Sequence, residues 1–571
     1  MIYRSGPVTG GRQRGGRSRW RRIAPIAAAA LLAFAAGAVL GGRHVPASEQ
    51  VAERFAAAWA AGDLARMYAL SDAGANGRSL RDFTRAYRDA AATATTRAIR
   101  FGEGRDVGDS VVAIPAVVET EAFGTIRQEL RLPVTEVDGE ARVTWSPELV
   151  FPGLRPGERL RRRTDLPPRA ALLARDGTPL ARAPDGEEVA PIASSIVGQL
   201  GPMPEEQAAE LRASGVPKDA QVGISGLERM FEERLRGRAG GVLLAGERLL
   251  GTRPPQPAKA VRTTISPKVQ QAAVDALGGR LGGIVAMRPQ TGEVLAAAGI
   301  PLSGLQPPGS TFKIITLVAG LESGAAKPSD TYPVETYTTL EGVRLENNNG
   351  EACGGTLEQT FAHSCNSVFA PMGVEVGAEK LVATARRFGF DQSPGIPGAA
   401  TATIPPAGEI GDDLALGSTA IGQGRVQATA LTMTVVAATI ALDGRRPRPT
   451  FAHGERLGRA PVTTPKIARQ VGRMMQSVVT SGTGTAAAIP GVSVAGKTGT
   501  AELEDDTRPA PGTGETLPVV VDDEPDTDAW FVAYAPAKGK PRVAVGVMLV
   551  RAGSGGAVAA PAARQVLEAA L

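Results

Sequence analysis

The sequence predicts a multidomain protein that combines α/β and α+β regions behind an apolar N-terminal segment. Three observations support this. The chain has 571 residues, which suggests roughly two to four domains. An uncharged stretch near the N terminus is followed by one helical and one alternating region, and mixed helices and strands fill the C-terminal half. Glycine and proline together make up about 20% of the chain, below the level that signals low complexity, which excludes a fibrous or disordered protein.

The N-terminal segment predicts a basic tail at residues 1–22 and a transmembrane anchor at residues 23–42. The tail holds seven arginines and no acidic residue, and the next 20 residues carry no charge. A helix of that length spans about 30 Å, the thickness of a bilayer core. Arginines on its N-terminal side predict a cytoplasmic N terminus in the cell membrane and an extracytoplasmic remainder. A cleaved signal peptide, with small residues near Ala47, is the alternative.

The composition limits which partners and cofactors the chain is predicted to bind. The net charge of +5 comes from the basic tail, because the rest of the chain is slightly acidic, so no nucleic-acid partner is predicted. The three histidines lie far apart, and Cys353 and Cys365 are the two cysteines. A metal centre and an iron–sulfur cluster are therefore not predicted, and neither is another cofactor.

Residues 45–152 predict a small α+β domain. Apolar residues recur at three- and four-residue spacing over residues 48–98, which indicates helices, with Ser48 as a candidate N-cap. Residues 110–150 then alternate between apolar and polar, which indicates antiparallel strands, and Asp138-Gly139 predicts a hairpin turn.

Residues 153–258 are less regular. Two short strands are predicted around Asp176-Gly177, and one amphipathic helix is predicted over residues 226–235. The proline-rich stretch at residues 253–257 predicts a stiff linker and the main domain boundary.

Residues 259–571 return to an α/β pattern. A helix at residues 267–277 precedes a hairpin, a second hairpin lies over residues 529–550, and a helix over residues 558–571 closes the chain. Hairpins combined with helices predict an antiparallel central sheet flanked by helices on both faces.

Ser310 and Lys313 open a helix predicted over residues 310–320. Side chains three residues apart lie on one helix face, so the amine of Lys313 can approach the hydroxyl of Ser310. The apolar residues around them predict a buried helix, and burial would favour the neutral amine, which is a usable base. A helix-capping serine beside a solvent-reaching lysine is the alternative, and it would be preferred if this pair stood alone.

Two further patterns follow in order: Ser-Cys-Asn at residues 364–366 and Lys-Thr-Gly at residues 497–499. The patterns S-x-x-K, S-x-N and K-T-G each occur once in the chain. In this order they are the signature of serine enzymes that recognise penicillin. The Gly-Gln-Gly pattern at residues 422–424 is predicted mainly to shape a loop beside the cleft.

On these residues the chain resembles the class B penicillin-binding proteins, which are peptidoglycan D,D-transpeptidases. The resemblance implies a serine β-lactamase-like transpeptidase domain at residues 259–571. It also implies a pedestal or dimerisation-like region at residues 153–258 and a cone-like extension of the methicillin-resistance type at residues 45–152.

The resemblance also implies the roles of four catalytic residues. Ser310 would attack the penultimate D-Ala carbonyl of a stem peptide, and Lys313 would accept its proton. Ser364 would return a proton to the leaving D-Ala, and Asn366 would hydrogen-bond the substrate amide.

The Lys-Thr-Gly segment would bind the substrate. Lys497 and Thr498 would hold its terminal carboxylate, and Gly499 would let its backbone come close. The backbone amides of Ser310 and Thr500 would form the oxyanion hole.

Cys353 and Cys365 lie 12 residues apart in the predicted exported part, where a disulfide is allowed. A bridge would pin the segment at residues 364–366. Two free buried thiols are the alternative.

Three functions stay open: a transpeptidase that β-lactams acylate, a carboxypeptidase or β-lactamase that uses water, and a membrane-bound β-lactam receptor or scaffold. The anchor and a pedestal of roughly 200 residues favour the transpeptidase, and the short cytoplasmic tail disfavours the receptor. The absence of histidine between residues 45 and 362 disfavours a bifunctional enzyme with its own glycosyltransferase. A partner glycosyltransferase in the membrane is therefore expected from the family.

Overall fold

A computed structural model describes residues 46–182, 188–502 and 527–571. The predicted basic tail and transmembrane anchor lie outside these residues. Within the described ranges, every helix is too short or too polar to cross a bilayer. The chain forms two compact units. The N-terminal unit runs to Arg162 and includes Leu243–Gly251, and the C-terminal unit comprises Arg163–Val242 and Thr252–Leu571.

The N-terminal unit packs helices against an antiparallel sheet, as the sequence predicts. Its elements are α1 (Ala47–Ala60), α2 (Leu64–Ala69), α3 (Leu80–Thr93), β1 (Thr96–Phe101), β2 (Arg105–Asp106), β3 (Val111–Thr120), β4 (Thr125–Val137) and β5 (Glu140–Val143). The strand order is β1-β3-β4-β5, with β2 paired to β3.

Two local predictions in this unit have different outcomes. The turn at Asp138-Gly139 joins β4 to β5, and both residues have positive φ angles of 54° and 78°, the conformation of a tight hairpin turn. Ser48 is not the N-cap of α1, because the helix already begins at Ala47, after Pro46.

The middle of the chain contains short elements and the strands through which the chain passes from one unit to the other. They are β6 (Leu160–Asp165), β7 (Leu172–Leu173), β8 (Pro179–Arg182), β9 (Glu188–Val189), α4 (Ser194–Val197), β10 (Leu200–Pro202), α5 (Glu205–Ala213), β11 (Gln221–Gly223), α6 (Gly226–Met230), α7 (Glu232–Leu235), β12 (Gly240–Ala245), β13 (Arg248–Arg253) and β14 (Val261–Arg262).

The single helix predicted over residues 226–235 is two short helices. Phe231 separates α6 from α7, because its backbone (φ −109°, ψ 17°) leaves the helical region while its ring is buried. The proline-rich stretch at residues 253–257 lies within the C-terminal unit. β14, which follows this stretch in the chain, pairs in parallel with β7, which precedes it. The domain bounds at residues 153 and 258 stay predictions.

The rest of the C-terminal unit is mixed α/β. Its elements are α8 (Pro267–Leu277), β15 (Gly282–Met287), β16 (Val294–Gly299), α9 (Lys313–Ser323), β17 (Thr331–Glu335), β18 (Tyr337–Leu340), β19 (Val343–Glu346), β20 (Cys353–Thr356), α10 (Leu357–Ala362), α11 (Asn366–Val376), α12 (Ala378–Phe388), α13 (Asp413–Ala420), α14 (Ala430–Ala441), β21 (Arg445–Pro447), β22 (Arg459–Pro461), α15 (Pro465–Thr480), β23 (Ala495–Glu502), β24 (Thr527–Ala535), β25 (Val543–Leu549) and α16 (Ala560–Ala570).

The central sheet is antiparallel throughout, in the order β16-β15-β25-β24-β23. One face packs on a core that includes α9, α11 and α14. The other face packs on a second core that includes α8 and α16. The predicted sheet with helices on both faces is confirmed, and β23 lies at its edge.

Candidate active site

Ser310 lies in a tight turn that precedes α9. The turn, Gly309–Phe312, is a 3₁₀-helix, whereas the sequence predicts an α-helix that begins at Ser310. The amide of Gly309 donates to the carbonyl of Gly422 at 3.0 Å. A Cβ added at Gly309 would lie 2.6 Å from the carbonyl oxygen of Thr500. The turn that carries Ser310 is therefore wedged between the Gly422 loop and β23.

Lys313 is the first residue of α9, and its side chain is fully buried. Its amine donates to the backbone oxygen of Ser364 at 2.7 Å and to Asn366 Oδ1 at 2.6 Å, and it lies 3.3 Å from Ser364 Oγ. All these contacts are with the Ser-Cys-Asn segment. Within the described ranges, Ser310 Oγ forms no hydrogen bond. Burial, and the second positive charge of Lys497, hold the pKa of Lys313 well below its usual range.

Ser364 occupies a strained position between α10 and α11. Its φ angle is +63°, a left-handed conformation that non-glycine residues rarely adopt. A disulfide joins Cys353 to Cys365, the residue after Ser364, with a Cα–Cα distance of 5.5 Å. This covalent link ties the serine segment to β20. Neighbouring His363 is exposed.

Lys497 also contacts the Ser364 hydroxyl. It lies on β23, is fully buried, and donates to Ser364 Oγ at 2.8 Å and to the Thr498 carbonyl at 3.1 Å. Burial lowers its pKa to about 7. Two amines therefore flank one serine hydroxyl.

Gly499 allows β23 to approach the serine turn. A Cβ at this position would lie 2.8 Å from the Pro308 oxygen and 3.0 Å from Thr311 Cγ2, so any other residue would push the turn away. The resemblance assigns Gly499 to substrate approach, and the structure adds that packing within the chain requires glycine. Thr500, half-buried, accepts a hydrogen bond from the amide of Gly555 at 3.4 Å.

Two further residues, which no sequence pattern indicated, support the site. Asn347, buried in the loop after β19, donates to the carbonyls of Glu335 and Glu351 and accepts from the amide of Ser367 in α11. Thr483, after α15, has its hydroxyl 2.5 Å from the Thr498 hydroxyl. The run Asn347-Asn348-Asn349 and the small residues around Thr483 predict turns, but no pattern in them indicates a site.

Both polar atoms of the Asn366 side chain form hydrogen bonds within the chain. Its Oδ1 accepts from Lys313, and its Nδ2 donates to the Glu346 carbonyl at 2.8 Å. Its contacts with the chain therefore orient the amine of Lys313. Among the described residues, no group of three or more His, Cys, Asp or Glu side chains could hold a metal ion.

This arrangement defines a class. An antiparallel sheet whose edge strand carries a lysine, facing a helix that follows a serine, is the architecture of the penicillin-recognising serine enzymes. The family described as "Penicillin binding protein transpeptidase domain" matches residues 282–568, about half of the chain. The chain belongs to this family, and the resemblance to class B penicillin-binding proteins is confirmed. The family "Penicillin-binding Protein dimerisation domain" matches residues 188–248, and "NTF2-like N-terminal transpeptidase domain" matches residues 47–158.

Two relatives carry the name peptidoglycan D,D-transpeptidase PbpA. The chain is 35% identical to the protein of Mycolicibacterium smegmatis over 378 residues, which cover 54% of this chain and 72% of the relative. It is 34% identical to that of Mycobacterium tuberculosis over 375 residues, with the same coverage.

Solved structures of a D,D-transpeptidase domain and of a penicillin-binding protein are also similar to this chain. The D,D-transpeptidase domain of a peptidoglycan glycosyltransferase from Eggerthella lenta has 30% identity and a TM-score of 0.55, covering 71% of this chain and 98% of that one. Penicillin-binding protein A from M. tuberculosis, as its penicillin G acyl-enzyme, has 28% identity and a TM-score of 0.53, covering 71% and 99%.

Proposed function

We propose that this protein is a peptidoglycan D,D-transpeptidase that cross-links stem peptides through an acyl-enzyme on Ser310. β-Lactams acylate the same serine. One observation carries the proposal: the buried amines of Lys313 and Lys497 converge on the Ser364 hydroxyl, and Lys313 directly follows the turn that bears Ser310. The relatives named D,D-transpeptidase share this part of the chain.

Lys313 acts as the base. A neutral amine has two N–H groups, and the carbonyl oxygens of Ser364 and Asn366, which can only accept, take both. The lone pair is therefore free to receive the proton of Ser310 as its Oγ bonds to the substrate carbonyl carbon. Burial lowers the pKa of Lys313 and so favours the neutral amine that this step needs.

Ser364 completes the proton path. Its Oγ accepts from Lys497 and lies beside Lys313, so it can pass the proton from Lys313 to the leaving D-Ala nitrogen as the peptide bond breaks. Lys497 and Thr498 hold the terminal carboxylate, and the amides of Ser310 and Thr500 stabilise the oxyanion. An amine of a second stem peptide then attacks the acyl-enzyme, loses a proton, and leaves Ser310 Oγ protonated again.

The decisive experiment separates amine transfer from hydrolysis. The full-length chain in detergent is incubated with a D-Ala-D-Ala thioester donor and amine acceptors, and products are identified by mass spectrometry. A transpeptidase gives the cross-linked amide as an acceptor-dependent product. Hydrolysed donor alone, at every acceptor concentration, would indicate a carboxypeptidase instead.

Replacing Ser310 tests the nucleophile. We expect Ser310→Ala to abolish labelling by a fluorescent penicillin, because the other hydroxyl of this turn, that of Thr311, is buried and donates to the Pro308 carbonyl at 2.6 Å. Gel fluorescence of the full-length protein measures this, and Ser323→Ala at the end of α9 is the control that should label normally. Retained labelling of Ser310→Ala would reject this serine.

We also propose that residues 23–42 anchor the protein in the cell membrane with a cytoplasmic N terminus. The uncharged length of that segment and the arginines before it support this. The mass of the membrane-fraction protein tests it, because cleavage near Ala47 would remove the segment.

A membrane glycosyltransferase is the proposed partner, since the chain's matched families describe transpeptidase and dimerisation domains. Chemical crosslinking of the protein in membranes tests this proposal. Complexes that contain no glycosyltransferase would count against this partner.

A further inference from the structure

The hydroxyl of Thr498 has one neighbour that the roles above do not use. Thr483 Oγ1 lies 2.5 Å from Thr498 Oγ1, and either oxygen could be the donor. Thr498 is only 5% exposed, whereas Thr483 is half-buried. Among the described residues, Thr483 is the hydrogen-bond partner of the Thr498 side chain.

The backbone around Thr483 holds it in this position. Its amide donates to the Ala362 carbonyl, at the end of α10, at 3.1 Å. Added Cβ atoms at Gly482 and Gly556 would lie 2.3 Å from the Ala362 oxygen and 2.5 Å from the Thr483 oxygen, so both neighbours must be glycine. The Thr483 hydroxyl is thus placed between the Ser364 segment and β23.

The direction of the hydrogen bond decides what Thr498 can do. If Thr498 donates to Thr483, its only proton is used, and it cannot donate to an anion. If Thr483 donates to Thr498, the Thr498 proton is free. The other acceptor for Thr483, the Ala362 oxygen, lies 3.4 Å away and already receives the Thr483 amide, so it competes weakly.

We propose that Thr483 is a positioning residue that orients the Thr498 hydroxyl as a donor to the carboxylate of the substrate or β-lactam. This rests on the proposed function and adds a residue to it. A carboxylate can only accept hydrogen bonds, so its arrival fixes the order Thr483 to Thr498 to carboxylate. Donation from Thr483 also polarises the Thr498 hydroxyl and strengthens its bond to the anion.

The test compares two probes that differ only in the carboxylate. Acylation rate constants of the full-length protein are measured with penicillin G and with its methyl ester, by intact-protein mass spectrometry. We expect Thr483→Val to react about tenfold more slowly with penicillin G, the size of one hydrogen bond to a charged group, and nearly normally with the ester. Thr483→Ser, which keeps the hydroxyl, should restore the wild-type ratio.

A double variant shows whether Thr483 acts through Thr498. If it does, Thr483→Val in a Thr498→Val background should add almost nothing to the loss. Equal losses with both probes, or losses that multiply, would overturn the proposal and leave Thr483 with a packing role. Thr483→Ala, which lacks the branched side chain, repeats the measurement should the valine variant melt early.

The controls separate this proposal from the proposed function. Wild-type acylation at Ser310 with an unchanged probe ratio in Thr483→Val rejects only the role of Thr483. Failure of wild-type protein to form an acyl-enzyme with penicillin G rejects the function, and this inference with it.

Discussion

Charge is placed differently in the N-terminal unit and in the active site of the C-terminal unit. In the N-terminal unit, ion pairs such as Arg100–Glu119 lie on the surface, with side chains 66% and 43% exposed. Its interior is aromatic, with Phe83 fully buried against Tyr87 and Trp145. In the C-terminal unit, Lys313 and Lys497 are fully buried.

The two lysines also differ from other buried charges of their own unit. Arg169 is nearly buried, but its guanidinium pairs with the carboxylates of Glu228 and Glu232 at 2.5 and 2.8 Å. No described acidic side chain forms an ion pair with Lys313 or Lys497. Neutral oxygens surround them instead, so their pKa values fall, whereas a paired cation would keep its charge. Burial without a counter-ion therefore marks the reactive region.

The largest effect is expected at Lys313. Lys313→Met keeps the length of the side chain and removes the base, so acylation by penicillin should fall about a thousandfold. The folded protein should remain, because methionine suits a buried position better than an amine does. Labelling rates and thermal melting check both points. Lys538→Met, at an exposed lysine, is the matched control, and normal labelling of Lys313→Met would remove Lys313 from the mechanism.

Phe83→Ala should produce the reverse result. The cavity left in the aromatic core is expected to cost about 3–5 kcal/mol in the free energy of unfolding. Denaturant unfolding followed by tryptophan fluorescence measures it, since Trp59 and Trp145 lie in that core. Phe83→Leu should lose less. Acylation per folded molecule should not change, and a parallel loss of acylation would show that the contrast between the units is wrong.

As the pH rises above about 7, the acylation activity of the C-terminal unit should fall while the contribution of Lys497 to its stability rises. Above about pH 7, Lys497 loses the proton that binds the carboxylate, so acylation by penicillin should fall by up to about tenfold per pH unit. Its folded pKa lies below the unfolded value of 10.5. The unfolded chain therefore binds more protons between pH 7 and 10.5, and this group's contribution to stability rises with pH over that window.

Rate and melting profiles over pH 6–9 check this prediction. Lys497→Met should flatten the alkaline fall of the acylation rate. A fall that persists in the variant would place the titrating group elsewhere.

The smallest effect is expected at Arg100. Arg100→Ala breaks an exposed ion pair with Glu119, so the free energy of unfolding should change by less than about 1 kcal/mol. Added salt should shrink even that difference. A loss comparable to that of Phe83→Ala would mean that surface charge, and not the aromatic core, stabilises the N-terminal unit.

Local sequence predicted the helices and turns of this protein better than it predicted the contacts between them. The helix at residues 267–277 and the turn at Asp138-Gly139 agree with the structure, because periodicity and turn chemistry act over a few residues. The helix over residues 226–235 is interrupted at Phe231, where burial of the ring competes with helix continuity. Ser310 lies in a 3₁₀-helix, because Gly422 and β23 fix the turn from outside.

The candidate site shows the same limit. The three patterns predicted Ser310, Lys313, Ser364 and Lys497 as site residues, and in the structure Lys313, Ser364 and Lys497 are in contact. Their order in the chain did not reveal that Lys313 bonds to Ser364 and Asn366, or that Thr483 touches Thr498.

The sequence by itself determined which chemical groups this protein has and which secondary structures carry them, because those depend on residue type and short-range spacing. Tertiary structure decided which groups meet. Lys313 reaches Ser364 across 51 residues, and Lys497 reaches it across 133. Those contacts, and the burial that lowers both lysine pKa values, arise only when the edge strand and the helices pack together and exclude water.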